Sequence, residues 1–254
     1  MGANVRNAQQ WRIITRPYDI PIASPGSLMS QNLLHCYAQR DACVHALAAD
    51  LSTQIRAALG QLPRAGLILP GGSSPQALLP LLAQQLDSQR IDLSPSDERW
   101  VPAQAAESNW QLLHQGLPQA NCLDPRQGAT LEQSALSWGE QLAQWPPFSA
   151  VLLGMGEDAH IASLFPGMPG LAAALDPQAQ PAALPALAPQ APRERLSLNL
   201  AMLQRGQWLG LLAFGERKRE LIDAVLADQP SARELPLYAW LQRSPLPVNI
   251  YWAP

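Results

Sequence analysis

Between Val151 and Gly167 the chain reads VLLGMGEDAHIASLFPG. Val151, Leu152 and Leu153 read as a buried strand, Gly154 and Gly156 permit close approaches that a Cβ forbids, and Glu157, Asp158 and His160 follow at once. A histidine released from a strand end by glycines lies where open α/β sheets bind ligands, in the crevice beyond the carboxyl ends of the strands. Imidazole is also the side chain best matched to proton transfer near neutral pH. His160 is therefore the candidate general base, and Asp158, two residues away, the candidate to orient its ring or balance its charge. A turn-capping role for Asp158 is the competing reading. His35 and His45 fall in a helical N-terminal pattern and His114 in a short amphipathic segment, which points them to structure.

A second group of residues suits an anion. Gly66-Leu67-Ile68-Leu69 reads as a short strand, Pro70-Gly71-Gly72-Ser73-Ser74-Pro75 interrupts it, and Ala77, Leu78, Leu81, Leu82 and Leu86 resume at helical spacing. Backbone N–H groups of Gly71, Gly72, Ser73 and Ser74 can converge on an anion in such a loop, although a plain strand-to-helix turn has the same composition. Candidate cations are Arg99 in Asp97-Glu98-Arg99 and Lys218, and Arg195–Leu200 alternates like a strand. Lys218 is the only lysine of the chain and follows the apolar run Trp208–Phe214 and Gly215. Three consecutive charges ordinarily mark a solvated loop, but Asp97–Arg99 follows a predicted strand at Ile91–Leu93 and so faces the same crevice. Asn109, ten residues beyond Arg99, either belongs to that site or caps the helix holding Trp110, Leu112 and Leu113.

The elements that position these groups alternate. Apolar strands and amphipathic helices succeed one another from residue 66 to residue 252, including a helix over 130–145, one over Glu220–Ala227, and a closing strand Val248–Trp252. Ser30–Leu62 has helical spacing, and Asp176–Pro192, DPQAQPAALPALAPQAP, has the composition of an exposed extended loop. The expected fold is α/β: a single doubly wound, mostly parallel sheet with helices on both faces. Residues 1–28 read as an N-terminal extension or edge segment, with a strand at Trp11–Thr15 and a turn at Pro25-Gly26. Residues 29–254 read as one catalytic domain.

Bulk properties exclude several classes. A net charge of −3 with 15% charged residues gives no electrostatic footprint for nucleic acid. No apolar run reaches a membrane span and the N-terminus lacks a secretory core. Cys36, Cys43 and Cys122 are odd in number and lack metal-ligand spacing, which fits a reducing cytoplasm and predicts neither disulfide nor metal. One base, a glycine-rich anion loop, scattered cations and no metal cluster suit a phosphorylated substrate with an uncharged electrophilic centre.

Leu153-Gly154-Met155-Gly156-Glu157-Asp158-Ala159-His160-Ile161-Ala162-Ser163-Leu164-Phe165-Pro166 resembles the signature of the 6-phosphogluconolactonases. Gly71–Pro75 resembles that family's Gly-Gly-x-Thr-Pro, Asp97–Arg99 with Val101-Pro102 and Ser108-Asn109 its second element, Arg195 its third, and Gly215–Lys218 its Gly-x-x-Lys. The chain departs at Ala159, where the family has glycine, and at Ile161, where it has threonine. The resemblance implies hydrolysis of the δ-lactone of 6-phosphogluconate in the oxidative pentose phosphate pathway without a cofactor. It also implies His160 as base, and Arg99, Arg195, Lys218 and the Gly71–Ser74 amides around the phosphate. The expected partner is the sugar-phosphate lactone alone, with no nucleic acid and no membrane, and the expected state is a monomer or weak homo-oligomer. Two other readings are open: a glucosamine-6-phosphate isomerase, whose signature shares Ile161, and a non-catalytic sugar-phosphate sensor. Because the rest of the signature is intact, Ala159 is expected at negative φ.

Overall fold

The structure, a computed structural model, describes residues 13–14 and 32–254. Its central sheet contains β1 (Ile13–Ile14), β2 (Leu33–Cys36), β3 (Ala65–Leu69), β4 (Ile91–Pro95), β6 (Asn121–Cys122), β7 (Ala150–Gly154), β10 (Leu209–Phe214) and β11 (Val248–Ala253). The strand order is β1-β2-β11-β10-β7-β3-β4-β6, and every neighbouring pair is parallel. Near-continuous apolar runs are what a sheet covered on both faces requires. Val151 and Leu153 enter one core while Ala150 and Leu152 enter the other.

Helices cover both faces. α1 (Arg40–Leu59), α3 (Leu78–Gln85) and α4 (Asn109–Gly116) bury Leu47, Leu51, Leu78, Leu82 and Leu113 on one side. α5 (Leu131–Ala143), α8 (Glu216–Leu226) and α9 (Pro236–Arg243) bury Trp138, Leu142, Ile222, Val225 and Trp240 on the other. Three single turns, α2 (Ser73–Gln76), α6 (Leu171–Ala174) and α7 (Leu200–Leu203), complete the helices. The Thr130 hydroxyl accepts from the Gln133 N–H at 3.2 Å, starting α5, and Pro236 starts α9 without needing an N–H.

A small antiparallel sheet was not foreseen. β5 (Asp97–Arg99), β9 (Glu194–Leu198) and β8 (Ala183–Leu187) lie in the order β5-β9-β8. Its β8 packs on α5 at Gly139, where an added Cβ would lie 2.8 Å from the Ala183 nitrogen.

Four local expectations are corrected. Asp176–Pro192 is not loop throughout: Ala183–Leu187 gains ladder partners from β9, and Pro185 is tolerated because β8 is an edge strand. The helical reading of Ser30–Leu62 divides, with Leu33 and Leu34 in β2 and the helix starting at Arg40; a short apolar run fits both periods, and pairing with β11 decides. The helix expected at Glu220 begins at Glu216, which draws Lys218 into its first turn. Ser108, not Asn109, caps α4, accepting from the Gln111 N–H at 3.1 Å. Of the edge strand expected at Trp11–Thr15, Ile13–Ile14 pairs parallel with Leu34 and His35; the turn expected at Pro25-Gly26 lies outside the described residues. Among the described residues no helix is long and apolar enough to cross a membrane.

Candidate active site

From β3 the chain winds outward through β4 and β6, then returns to place β7 on the other flank of β3. This reversal opens a crevice beyond the carboxyl ends of β3 and β7. Pro70–Gly72 leaves β3 there, Met155–His160 leaves β7, and Gly215 leads from β10 into α8 beside them. The crevice is a cavity of about 580 Å³. Gly71, Gly72, Ser73, Ser74, Arg99, Asp158, His160, Arg195 and Lys218 all line it, so the candidate base, its partner, the glycine loop and the three cations meet in one place.

His160 Nδ1 lies 2.6 Å from Asp158 Oδ1, which also accepts the His160 backbone N–H at 3.2 Å. The hydrogen bond from the ring holds the Asp158 carboxyl below its ordinary value. A carboxylate on Nδ1 favours the tautomer with the proton on that nitrogen and leaves the Nε2 lone pair for a ligand. The Phe165 ring sits 4.5 Å from the imidazole, tilted by 44°. Gly156 lies beneath: a Cβ there would fall 2.2 Å from the ring Nδ1 and Cε1 and 2.6 Å from Asp158 Oδ1.

The expectation for Ala159 is overturned, since its φ is 66°. The loop closes on itself through Gly156 N–H to His160 O (3.0 Å) and Ala159 N–H to Gly156 O (3.1 Å). Ala159 O accepts from the Leu237 N–H at 3.1 Å, which ties the same residue to α9. Tertiary contacts thus impose a left-handed backbone on a residue with a Cβ, at a cost of about 1–2 kcal/mol. Ile161, the second departure, is fully buried and does not line the cavity.

The cationic wall comes from the small sheet. Arg99 on β5 stands directly opposite Arg195 on β9, and Asp97 opposite Ser197 two residues along. Arg195 is held in place by Nε donating to Pro192 O at 2.7 Å, and burial first, then the Arg99 charge, lowers its pKa. Like charges facing across a ladder are unfavourable unless an anion joins them. Lys218 is half-buried, with its pKa lowered chiefly by burial, and among the described residues no carboxylate lies within 4.0 Å of it. Gly72, at φ 87°, supplies the backbone turn of the glycine loop.

Several residues around the site escaped the sequence reading. Ser163 donates from Oγ to Asp97 Oδ2 (2.7 Å), and its N–H donates to Ser197 Oγ (3.1 Å), which stitches the histidine loop to both strands of the arginine pair. Asn109 is different, since the sequence offered it to the site or to the helix cap: it lines the cavity, donates from Nδ2 to Asp97 O (2.8 Å) and packs under Gly71. Glu98 is wholly buried, accepts the N–H groups of Arg99 (2.7 Å), Asn109 (2.8 Å) and Trp110 (2.7 Å), and pairs with Arg126 at 3.2 Å. Burial raises its pKa against the pull of these partners. The turn Ala188–Ala191 also lines the cavity, and its bland composition carries no signal for that.

Known proteins resemble the chain in fold and in sequence. Residues 38–252 match the family described as glucosamine-6-phosphate isomerases/6-phosphogluconolactonase. The chain is 37% identical over 215 residues to a 6-phosphogluconolactonase of Pseudomonas putida, covering 82% of this chain and 87% of that one. It is 38% identical over 216 residues to one of Pseudomonas aeruginosa, covering 82% and 89%. The crystal structure of a 6-phosphogluconolactonase from Shewanella baltica superposes with a TM-score of 0.80 at 28% identity, over 90% of this chain and 100% of that one. The matched stretch runs through the glycine loop, the arginine ladder, the histidine loop and Lys218 alike, and on that ground the chain belongs to the glucosamine-6-phosphate isomerase/6-phosphogluconolactonase family.

Proposed function

We infer that the protein hydrolyses 6-phospho-D-glucono-1,5-lactone to 6-phosphogluconate, the lactonase step of the oxidative pentose phosphate pathway. The observation that carries this reading is the His160–Asp158 pair, 2.6 Å apart, on the same cavity as Arg99, Arg195 and Lys218. A neutral ester carbonyl needs a base for water, and a distant phosphate needs cations. Relatives above 30% identity over most of the chain carry the 6-phosphogluconolactonase name.

In the mechanism, His160 Nε2 takes a proton from water as its oxygen bonds to C1 of the lactone. The carbonyl electrons move onto oxygen, giving a tetrahedral alkoxide. As the carbonyl re-forms, the bond from C1 to the ring oxygen breaks, and His160 returns the proton to that oxygen. The new carboxylic acid then ionises to solvent. Asp158 balances the imidazolium while it exists and keeps Nδ1 protonated. Arg99, Arg195, Lys218 and the amides of Gly71–Ser74 form the phosphate end, which fixes the distance from phosphate to carbonyl. Positioning and a general base together are ample for an ester already disposed to open, since the base alone contributes about 10²–10⁴-fold.

The isomerase reading rests on Ile161, which is buried in the core and away from the cavity, so that residue does not alter the chemistry. The free thiols of Cys36, Cys43 and Cys122 suit a cytoplasmic setting. The test is hydrolysis of the lactone above its spontaneous rate, without added metal, alongside deamination of glucosamine 6-phosphate, which is expected to be nil. His160→Asn lowers kcat by about 10²-fold or more. Lys218→Met raises KM for the phosphorylated lactone far more than for glucono-1,5-lactone. Wild-type turnover in His160→Asn refutes the base, and product binding without turnover in the parent chain makes it a sensor.

A further inference from the structure

The mechanism leaves one charged group on the cavity unused. Glu157 lines the cavity beside Asp158 and His160, is exposed, and has no ion-pair partner within 4.0 Å among the described residues. Its charge reaches Lys218 across the cavity, where it favours the protonated amine. With Asp158 ionised beside the ring, two negative charges stand at the end of the cavity that holds the base, while the cations of the β5–β9 ladder stand on another wall.

Reactant and product differ in charge at one atom. Both carry the phosphate, but C1 is a neutral ester carbonyl in the lactone and a carboxylate in the product. That new charge forms against His160, next to the two acidic residues. Resting on the lactonase reading, we propose that Glu157 is a specificity-determining residue: its carboxylate disfavours the C1 carboxylate of the bound product, has no such charge to repel at the C1 ester carbonyl of the lactone, and so separates product from substrate at a site whose phosphate end holds both alike. Asp158 carries a compensating partner when the ring is protonated. Glu157 acts on Lys218 of the phosphate end only at longer range, has no ion-pair partner within 4.0 Å among the described residues, and so repels that carboxylate whether or not the ring is protonated. Its exposure limits the effect to that of one unit charge in largely aqueous surroundings, about three- to tenfold in affinity.

The experiment compares the parent chain with Glu157→Gln and Glu157→Asp in steady-state lactone hydrolysis, with 6-phosphogluconate and inorganic phosphate as competitive inhibitors. Glu157→Gln is expected to lower the product inhibition constant about three- to tenfold relative to the lactone KM. Inorganic phosphate, which lacks a carboxylate, is expected to keep its ratio to KM. Glu157→Asp, which restores the charge, returns the product ratio to the parent value. If product, phosphate and lactone all tighten together, Glu157 acts only on the phosphate end through Lys218 and the proposal fails. An unchanged product ratio in Glu157→Gln overturns it as well. Absence of turnover in the parent chain refutes the lactonase reading instead, which separates the two failures.

Discussion

Replacing Gly156 with alanine is expected to damage the catalytic pair while sparing the fold. Gly156 is not in the left-handed region, so alanine's backbone is acceptable there. The obstacle is contact: the new Cβ would lie 2.2 Å from two atoms of the His160 ring and 2.6 Å from Asp158 Oδ1, where ordinary contact begins at 3.4 Å. Both neighbours are side-chain ends on the cavity, the ring about one-third exposed and the carboxylate nearly half. They can retreat, and the ring must do so by about an ångström, a displacement of the size that costs about 10²-fold in rate. The bond of 2.6 Å between Nδ1 and Asp158 does not survive a shift of both partners. Stability is expected to change by less than about 1 kcal/mol, because no core contact is lost. The assay is kcat for lactone hydrolysis with spontaneous opening subtracted, read beside a urea unfolding curve. A variant with parent-like kcat refutes the argument, as does one whose lost activity is matched by a collapse in stability.

Three other expectations follow from the same geometry. Glu98→Ala takes the buried carboxylate from Arg126, which keeps Asp124 at 3.0 Å, and removes the acceptor of three backbone N–H groups, so a loss of about 2–4 kcal/mol is expected in urea unfolding, and a loss below about 1 kcal/mol contradicts the structural role of the carboxylate. Burial holds the His35 imidazole below its ordinary value, against the pull of Asp50 and Asn249. The unfolded chain therefore binds that proton first: stability present above pH about 6.5 is lost as pH falls from there through the depressed native value. His35→Phe, which keeps a ring stacked on Tyr251, is expected to flatten the dependence between pH 7 and 5, and an unchanged slope removes His35 as its source. Ala159→Gly exchanges a left-handed strain of about 1–2 kcal/mol for a lost buried methyl of about 0.8 kcal/mol, so it should match or exceed the parent in stability. A loss of about 1 kcal/mol or more would mean that the methyl's packing dominates.

The parallel sheet was legible because short apolar runs such as Leu67–Leu69 and Leu209–Phe214, each ended by proline or glycine, alternate with longer amphipathic stretches. The chemistry-bearing residues were legible for a different reason. Glycines at 71, 72, 156 and 215 each follow a strand, and a strand end in such a sheet has a known address. What stayed hidden depends on partners distant in sequence. β8 exists through its pairing with β9, the left-handed Ala159 through Leu237, and the inward course of Glu98 through Arg126 and the start of α4. No local pattern encodes such contacts. The departure at Ala159 appeared harmless because propensity says only what a residue prefers, and a buried loop bonded at both ends does not consult that preference.

Lys218 gives the site a chemical handle. As the sole lysine, it is the single side-chain primary amine of the chain, and it sits on the cavity wall in the first turn of α8. Burial disfavours its protonated form, which raises the share of free amine available to an electrophile at a given pH. An amine-directed reagent therefore reads cavity occupancy in one peptide of a digest, without competition from other lysines. An aldehyde that carries its own phosphate, fixed by reduction of the imine, would be drawn to that wall by the arginines and excluded by bound 6-phosphogluconate. The same scarcity makes side-chain amine coupling a poor way to immobilise the protein, because its one lysine lies on the cavity wall.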